Sequence, residues 1–217
     1  MDTDDYNGDD FPAEEYSTGF ENRGKRVKTG DEILMTKIDP TLRRLMIGIG
    51  WDLKPFEGDP LDLDASVFLL NKDDLTREDT DFIYYNNLSG CKDSVKHTGD
   101  NKTGAGEGDD ETISVQLDML PYDIQKLAFV ISIYQGDEKE QDFSMVRNCF
   151  LRLVNEEDNR ELIYYELSEK EFQTGTGIVV AEYIREGPEW SFFAKGEVYE
   201  KGLVDIATNY GMVVGQY

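Results

Sequence analysis

Nitrogen and sulfur ligands are scarce in this sequence. It contains one histidine, His97, and two isolated cysteines, Cys91 and Cys149. Because zinc sites are assembled mainly from imidazole nitrogen and thiolate sulfur, a tetrahedral zinc centre is hard to build from this chain. Cys149 lies in the apolar run CFLRLV, which indicates a small buried hydrophobic residue.

Long apolar runs are also missing. No stretch approaches the length of about 18 apolar residues that a membrane-spanning helix requires. The N-terminus does not show the charged region and apolar run of an export signal. We therefore expect no transmembrane segment. Two isolated cysteines without an export signal are typical of a reducing compartment, so we expect a cytoplasmic protein.

Basic residues are outnumbered two to one. The chain has 22 Lys and Arg against 46 Asp and Glu, which gives a formal net charge of −24 at pH 7. A surface of this sign repels phosphate groups, so we expect no nucleic-acid partner. Cations, or a basic protein, are the partners that such a surface attracts.

The acidic residues are unevenly spread. Residues 1–21 contain eight of them and no Lys or Arg, and the basic stretch NRGKRVK follows. Because few apolar residues are present to order this region, residues 1–29 are predicted to form a disordered acidic N-terminal arm. The remaining residues, 30–217, are enough for one sizeable domain.

Strand signals recur at short intervals from Glu32 onward. They are EILMTKI, RLMIGIGWD, ASVFLLN, DFIYYN, TISVQLD, KLAFVISIY, CFLRLVN, LIYYEL, GIVVAEYIR and WSFFAKGEVYE. Helical patterns are limited to one turn in MLPYDIQ and to GLVDIATNYG. About ten short strands separated by turn residues predict an all-β protein, a β-sandwich of two mainly antiparallel sheets with a few short helices.

The stretch HTGDNKTGAGEGDDE, residues 97–111, differs from the strands around it. It ends on three consecutive acidic residues, Asp109, Asp110 and Glu111, which repel one another unless a cation neutralises them. Glycine occupies every second position from 104 to 108, so the backbone can turn tightly and direct carbonyl oxygens inward. Calcium accepts such a mixture of carboxylate and carbonyl oxygens more readily than magnesium does.

The same stretch invites comparison with an EF-hand. The twelve residues from Asp100 to Glu111 have the length of an EF-hand loop. However, Lys102 and Gly104 occupy the third and fifth positions, where ligand side chains belong, and Ala105 replaces the turn glycine. If this loop binds calcium, it does so as a loop of another kind.

A second acidic cluster lies in DPLDLDASVFLL. Asp62 and Asp64 are separated by one residue just before a predicted buried strand, so both carboxylates leave the same face. Each cluster by itself is also what a solvated turn or strand end contains. Together, the two clusters predict a bipartite oxygen-ligand site where a strand end meets a long loop.

A family resemblance extends over nearly the whole chain, from Gly30 to Gly211. It is carried, in order, by GWDLKPF, LDLDASVFLLN, DFIYYNNLSG, SVKHTGDNKTGAGEGDDETISVQLDMLP, FVISIY, LVNEEDNRELIYYELSE and EYIREGPEWSFFAKGEVYEKGL. These segments resemble the TerD family of bacterial tellurium-resistance and general stress proteins. The resemblance implies a β-sandwich that binds two calcium ions close together at one end, and a cytoplasmic role in stress resistance.

The resemblance also implies a ligand set. Its side-chain ligands are Asp62, Asp64, Asp100, Asn101, Asp109, Asp110 and Glu111, and its backbone carbonyl ligands are Ala65, Thr103, Gly104 and Gly108. The chain would then be a non-enzymatic binding or scaffold module whose partners are calcium ions and other stress or tellurium-resistance proteins.

An enzymatic function is the alternative. A carboxylate-rich metal pair could activate water for hydrolysis of a phosphoester, with His97 near the metal as general base. Against this hypothesis, the sequence has no G-x-S-x-G motif and, beyond Lys102, no evident basic residue for a phosphate. A third hypothesis, a binder of small molecules, requires an apolar pocket that a sequence does not reveal.

Overall fold

The computed structural model of the protein describes residues 24–55, 58–98, 108–170 and 174–213. Within these ranges the chain forms thirteen strands and two α-helices. The strands are β1 (Lys25–Val27), β2 (Glu32–Leu34), β3 (Arg44–Leu53), β4 (Leu63–Leu70), β5 (Phe82–Ile83), β6 (Ser89–Gly90), β7 (Val95–His97), β8 (Glu111–Gln116), β9 (Lys126–Ile133), β10 (Val146–Asn155), β11 (Arg160–Glu166), β12 (Gly177–Glu186) and β13 (Glu189–Tyr199). The helices are α1 (Met35–Ile38) and α2 (Gly202–Asn209). Short 3-10 turns cover Asp79–Asp81, Leu117–Met119 and Phe143–Met145.

The strands form two sheets. The first sheet has the order β1-β11-β10-β3-β8-β7-β6, and the second has the order β2-β13-β12-β9-β4-β5. Every pair of neighbouring strands in the described residues is antiparallel except β1 and β11, which are parallel. The predicted all-β sandwich of two mainly antiparallel sheets is therefore confirmed. No helix in the described residues is long and apolar enough to cross a membrane.

The main core lies between the sheets and follows the alternation of the strands. Ile47 and Ile49 of β3 and Val67 and Leu69 of β4 belong to this core, and all four are fully buried. Each fully buried aliphatic side chain of this kind contributes about 1.5–3 kcal/mol to folding relative to an exposed one. This core sets the distance between the two sheets and fixes which residues of each strand point outward.

A smaller core covers the outer face of the second sheet. There Ile206 and Ala207 of α2, and Tyr210 directly after it, pack with Phe68 and Val130. Strands β4 and β9 are therefore buried on both faces, which explains why their sequences are continuous apolar runs rather than alternating ones. The helix predicted from GLVDIATNYG is confirmed, and it ends one residue before Tyr210.

The predicted acidic arm, residues 1–29, extends too far into the domain. Lys25–Val27 form β1, an edge strand whose Arg26 guanidinium lies 3.6 Å from the ring centre of Tyr164. Three residues with two cations show no apolar alternation, so this strand has no sequence signal. Residues 1–23 lie outside the described residues, and the arm predicted for them stays a prediction.

The run EILMTKI, predicted as one strand, changes conformation halfway. Strand β2 ends at Leu34, and α1 follows directly. The Asp39 amide donates to the Met35 carbonyl at 2.8 Å and ends the helix. Seven residues are too few to distinguish strand alternation from one helical turn.

One end of the sandwich gathers the segments that the sequence predicts to bind metal. Strand β4 begins there and β9 ends there, while β8 begins and β7 ends in the other sheet. The two sheets are linked at this end, because the Ala65 amide of β4 donates to the Glu111 carboxylate of β8 at 2.6 Å. We call this end the mouth and define it by residues 62–65, His97 and residues 108–111.

Candidate metal centre

Glu111 connects the two sheets at the mouth. It is the first residue of β8, and its side chain points into the sandwich, where the residue is 2% exposed. The backbone N–H of Ala65 donates to Oε2 at 2.6 Å. In the described strands, β5 pairs with β4 only at Val67 and Phe68, so at Ala65 the edge of β4 is open. The carboxylate thus satisfies a buried edge amide and is held in a fixed place.

His97 holds the same carboxylate from the other side. Its Nε2 lies 3.1 Å from Glu111 Oε2, and both side chains are almost completely buried. When Glu111 is ionised it can only accept hydrogen bonds, and Nε2 is then the donor in this contact. The ring therefore orients Glu111. A general base needs access to a substrate, and the burial of His97 argues against the role that the hydrolase hypothesis gives it.

Asp110 plays the corresponding role at the edge of β3. Its backbone N–H donates to the Ile49 carbonyl, and its Oδ2 accepts a hydrogen bond from the Trp51 amide, both at 2.8 Å. Strand β8 begins only opposite Ile49, so the Asp110 side chain continues the ladder beyond the strand. Burial, and secondly the negative charge of Asp110, raise the pKa of the Cys149 thiol to about 12.

Asp109 points to the outer face of the first sheet. Its Oδ1 accepts a hydrogen bond from Arg152 Nε at 2.7 Å, and its Oδ2 accepts one from Arg152 Nη2 at 2.8 Å. The Asp109 side chain is 8% exposed and lies directly over Gly48, where any side chain would overlap it. The hydrogen bonds to Asp109 are the main cause of a raised pKa of Arg152.

Gly108 allows the chain to turn into this arrangement. Its φ of +115° lies in a region that residues with a side chain rarely adopt. Its carbonyl oxygen comes close to Gly50 of β3, so that this oxygen lies near the outer face of the first sheet.

Asp62 and Asp64 lie at the start of β4. The Asp62 carbonyl accepts from the Tyr134 amide at 2.8 Å, which joins this segment to the end of β9. After the larger effect of burial, the charges of Asp64 and Asp62 contribute to a raised pKa of the Tyr85 phenol, so both carboxylates lie near one hydroxyl. Asp62 Oδ1 is buried, and no hydrogen-bond donor among the described residues reaches it.

The two acidic clusters therefore meet at the mouth, while the ligand assignment itself stays a prediction. Asp100, Asn101, Thr103 and Gly104 lie outside the described residues. In the described ranges alone, no three His, Cys, Asp or Glu side chains converge as a metal-binding group. The residues that are described fit a hard cation, because their donor atoms are oxygens and Asp62 Oδ1 is a buried acceptor that lacks a donor.

Sequence analysis missed Arg152 and Tyr85, two residues that border this site. Arg152 lies between Leu151 and Leu153 in the apolar run CFLRLV, so it points outward on a strand that crosses the middle of the sheet. A charged residue inside such an apolar run is a usable signal. Tyr85 has no comparable signal, because its closeness to Asp62 and Asp64 depends on how β5 packs beside β4.

Comparison with known proteins finds one family that matches most of the sequence. A family model described as the TerD domain matches residues 24–210. General stress protein 16U of Bacillus subtilis (strain 168) is 46% identical over 187 residues, which cover 86% of this chain and 96% of that protein. Tellurium resistance protein TerD of Serratia marcescens is 39% identical over 186 residues, with the same coverage of both chains.

A solved structure shows the same fold. It is the crystal structure of a homologue of telluride resistance protein (TerD) from Streptomyces coelicolor A3(2), which matches with a TM-score of 0.62 at 22% sequence identity. The match covers 76% of this chain and 95% of that one.

Proposed function

The chain belongs to the TerD family, whose relatives are named for tellurium resistance and general stress, and we propose that it is a non-enzymatic calcium-binding protein of the stress response. About two Ca²⁺ would bind at the mouth, as the resemblance implies for the family. The observation that carries the proposal is Asp62 Oδ1, a buried carboxylate oxygen without a hydrogen-bond donor in the described residues. Such an atom costs free energy unless a cation lies against it.

Repulsion among the carboxylates supports the same proposal. Asp62, Asp64, Asp110 and Glu111 lie at one end of the sandwich, and both Asp110 and Glu111 are at least nine-tenths buried. Like charges gathered in this way repel one another, and more strongly where burial lowers the effective dielectric. A divalent cation removes that repulsion and so ties metal binding to the stability of the fold.

The chemistry of the donors favours calcium. The one histidine is occupied by Glu111, and Cys149 is a buried free thiol with a raised pKa, so neither is a suitable zinc ligand. Carboxylate and carbonyl oxygens in an irregular arrangement suit Ca²⁺ with its six to eight ligands better than Mg²⁺ with its strict octahedron. When bound, the ion would supply charge neutralisation and a rigid loop.

The proposed protein acts in the cytoplasm as a binding or scaffold module. Cys91 and Cys149 are free thiols, which fits a reducing compartment. The relatives are named as stress and resistance proteins rather than as enzymes. A loop ordered by calcium would present a surface for another stress or tellurium-resistance protein.

Calorimetric titration of the metal-free full-length protein tests this function. We expect Ca²⁺ to release or absorb heat with saturation and to raise the melting temperature, and Mg²⁺ to do so far more weakly. Terbium(III) luminescence sensitised by Trp51, whose amide donates to Asp110, gives a second readout.

Two variants locate the binding. Asp110→Asn should weaken calcium binding by at least about tenfold, because it removes a ligand charge. Asp118→Asn is the matched control, since this exposed aspartate follows β8 at the end away from the mouth. Wild-type protein without calcium-dependent heat and without a calcium-dependent melting shift would refute the proposed function.

A further inference from the structure

We propose that Arg152 is a positioning residue for the calcium loop, and that Asp109 is the latch it holds rather than a calcium ligand. The inference rests on the proposed function and departs from the ligand set that the family resemblance implies. Three consecutive acidic residues, 109–111, would then have different tasks. Asp110 and Glu111 face the mouth, and Asp109 anchors their backbone to the outer face of the first sheet.

The contact between the two side chains is the first reason. Both oxygens of Asp109 accept hydrogen bonds from the guanidinium of Arg152, at 2.7 and 2.8 Å. Paired hydrogen bonds of this geometry are the strongest that a carboxylate makes with a side chain. The Asp109 side chain is 8% exposed, so water competes little for its oxygens, although the Arg152 side chain is 32% exposed. To bind Asp109, a calcium ion would have to displace or share a cation that is already in place.

The sheet contains a socket for this latch. Arg152 of β10 and Gly48 of β3 are direct neighbours in the antiparallel register. Because position 48 has no side chain, the Asp109 carboxylate occupies the space above the backbone there. Arg152 is held in turn by Glu161, whose Oε2 lies 3.6 Å from Nη1. The socket therefore consists of Gly48, Arg152 and Glu161, three residues that come from three adjacent strands.

The latch fixes the residues that follow it. Next along the chain, Asp110 is tied to the edge of β3 through Ile49 and Trp51, and Glu111 is tied to Ala65 across the sandwich. Asp109 anchors the chain just before these two contacts, where Gly108 makes its turn. Holding this limb of the loop in place before metal arrives lowers the ordering cost of binding. A residue that orients metal ligands in this way typically affects affinity by 10–100-fold.

The two readings of Asp109 make opposite predictions for Arg152. If Asp109 were a ligand, Arg152→Met would remove a competing cation, and calcium would bind more tightly. If Asp109 is a latch, Arg152→Met releases the loop, and calcium binds about tenfold more weakly. The sign of the change therefore separates a ligand from a latch.

The experiment is a calcium titration of full-length protein by calorimetry and by terbium luminescence, with four variants of the pair and one control variant. Arg152→Met and Asp109→Asn should each weaken binding about tenfold, and the double variant should be no weaker than either single one, because both remove one interaction. Arg152→Lys keeps the charge but loses the paired geometry, so it should fall between Arg152→Met and wild type. The matched control is Arg147→Met, an exposed arginine on the same strand, which should leave affinity nearly unchanged.

Hydrogen exchange in calcium-free protein tests the latch even in variants whose fold is destabilised. In calcium-free protein, hydrogen exchange of the Asp110 and Trp51 amides should be faster in Arg152→Met than in Arg147→Met, while amides of the main core keep their protection. Unchanged or tighter calcium binding by Arg152→Met, together with weakened binding by Asp109→Asn, overturns the latch and restores Asp109 as a ligand. Wild-type protein that does not bind calcium overturns the proposed function instead.

Discussion

Two ends of the sandwich bury carboxylates in opposite ways. At the end away from the mouth, Asp39 is 5% exposed, and both of its oxygens are occupied. Oδ1 accepts from the amide and the hydroxyl of Thr41, and Oδ2 accepts from Asn155 Nδ2 and from Arg160. At the mouth, Asp62 Oδ1 is buried without a donor in the described residues. A buried carboxylate is tolerated when the chain supplies its donors, and it calls for a cation when the chain does not.

Within the mouth itself, carboxylates also differ in whether the chain supplies donors for their oxygens. Asp109 resembles Asp39, because an arginine saturates its oxygens. At Asp62, by contrast, no residue that the structure describes donates a hydrogen bond to Oδ1. The number of donors around each carboxylate is therefore a better guide to its role than its closeness to other acidic residues in the sequence.

Withdrawal of calcium should cause the largest change in the free energy of unfolding, and the change should come from the mouth. A ligand at about 100 times its dissociation constant stabilises the folded state by about 2.7 kcal/mol per site, or about 5 kcal/mol for two sites. Urea unfolding with calcium and with a chelator measures this difference. Asp62→Asn should lose about half of the calcium-dependent stabilisation or more. In chelator it should be at least as stable as wild type, because a neutral amide replaces a charged group whose Oδ1 is buried without a donor in the described residues. Lower stability of Asp62→Asn in chelator would show that the mouth does not need a cation.

Asp39→Ala should have the next largest effect, and calcium should not change it. Removing the carboxylate leaves the buried Asn155 amide and the Thr41 hydroxyl without their acceptor, which costs about 3 kcal/mol. Urea unfolding should give the same loss with calcium and with chelator. Asp158→Ala is the control, since it removes an exposed partner of Arg160 at 3.4 Å and should cost less than about 1 kcal/mol. If the stability lost in Asp39→Ala depended on calcium, the two ends of the sandwich would be energetically coupled rather than independent.

The pH dependence of stability should show the smallest effect. Burial alone would raise the pKa of Asp39, but the hydrogen bonds from Thr41 and Asn155 and the charge of Arg160 outweigh it and lower the pKa below its ordinary value of 3.8. A carboxyl with a lowered folded pKa stabilises the fold fully above its unfolded pKa and loses that contribution as pH falls through the folded pKa.

Measured in chelator, the stability difference between wild type and Asp39→Ala should therefore stay constant above about pH 5 and shrink below about pH 4. The corresponding difference in proton uptake is at most about one proton. A difference that grew as the pH fell would mean that the folded pKa of Asp39 is raised.

Much of the fold could be predicted from the sequence, because its long strands bury one or both faces. The apolar alternation of TISVQLD matches the alternating burial of β8, and the apolar run KLAFVISIY matches the nearly continuous burial of β9. The short edge strands could not be predicted in this way. β1 and β6 have three and two residues, and their pairing is a consequence of the neighbours they meet. β5 is an exception, since its two residues lie within the predicted strand DFIYYN.

The candidate site was also predicted only in part. The meeting of DLDAS with GDDE followed from local patterns and the family resemblance. The separate position of Asp109 did not, because it depends on the register that puts Arg152 beside Gly48 from a strand about a hundred residues away. Local sequence assigns the same chemistry to Asp109 and Asp110, and only the packing of the strands distinguishes them.

The two thiols of the chain have a consequence for a protein related to stress proteins. Burial, with Asp110 nearby, raises the pKa of Cys149, and burial, with Asp81 nearby, raises that of Cys91. Both side chains are therefore protonated at neutral pH, and the protonated form is a poor nucleophile. Sulfenic acid formation and attack on soft electrophiles begin from the thiolate. These two thiols should therefore resist conditions that oxidise the exposed, acidic cysteines of other proteins.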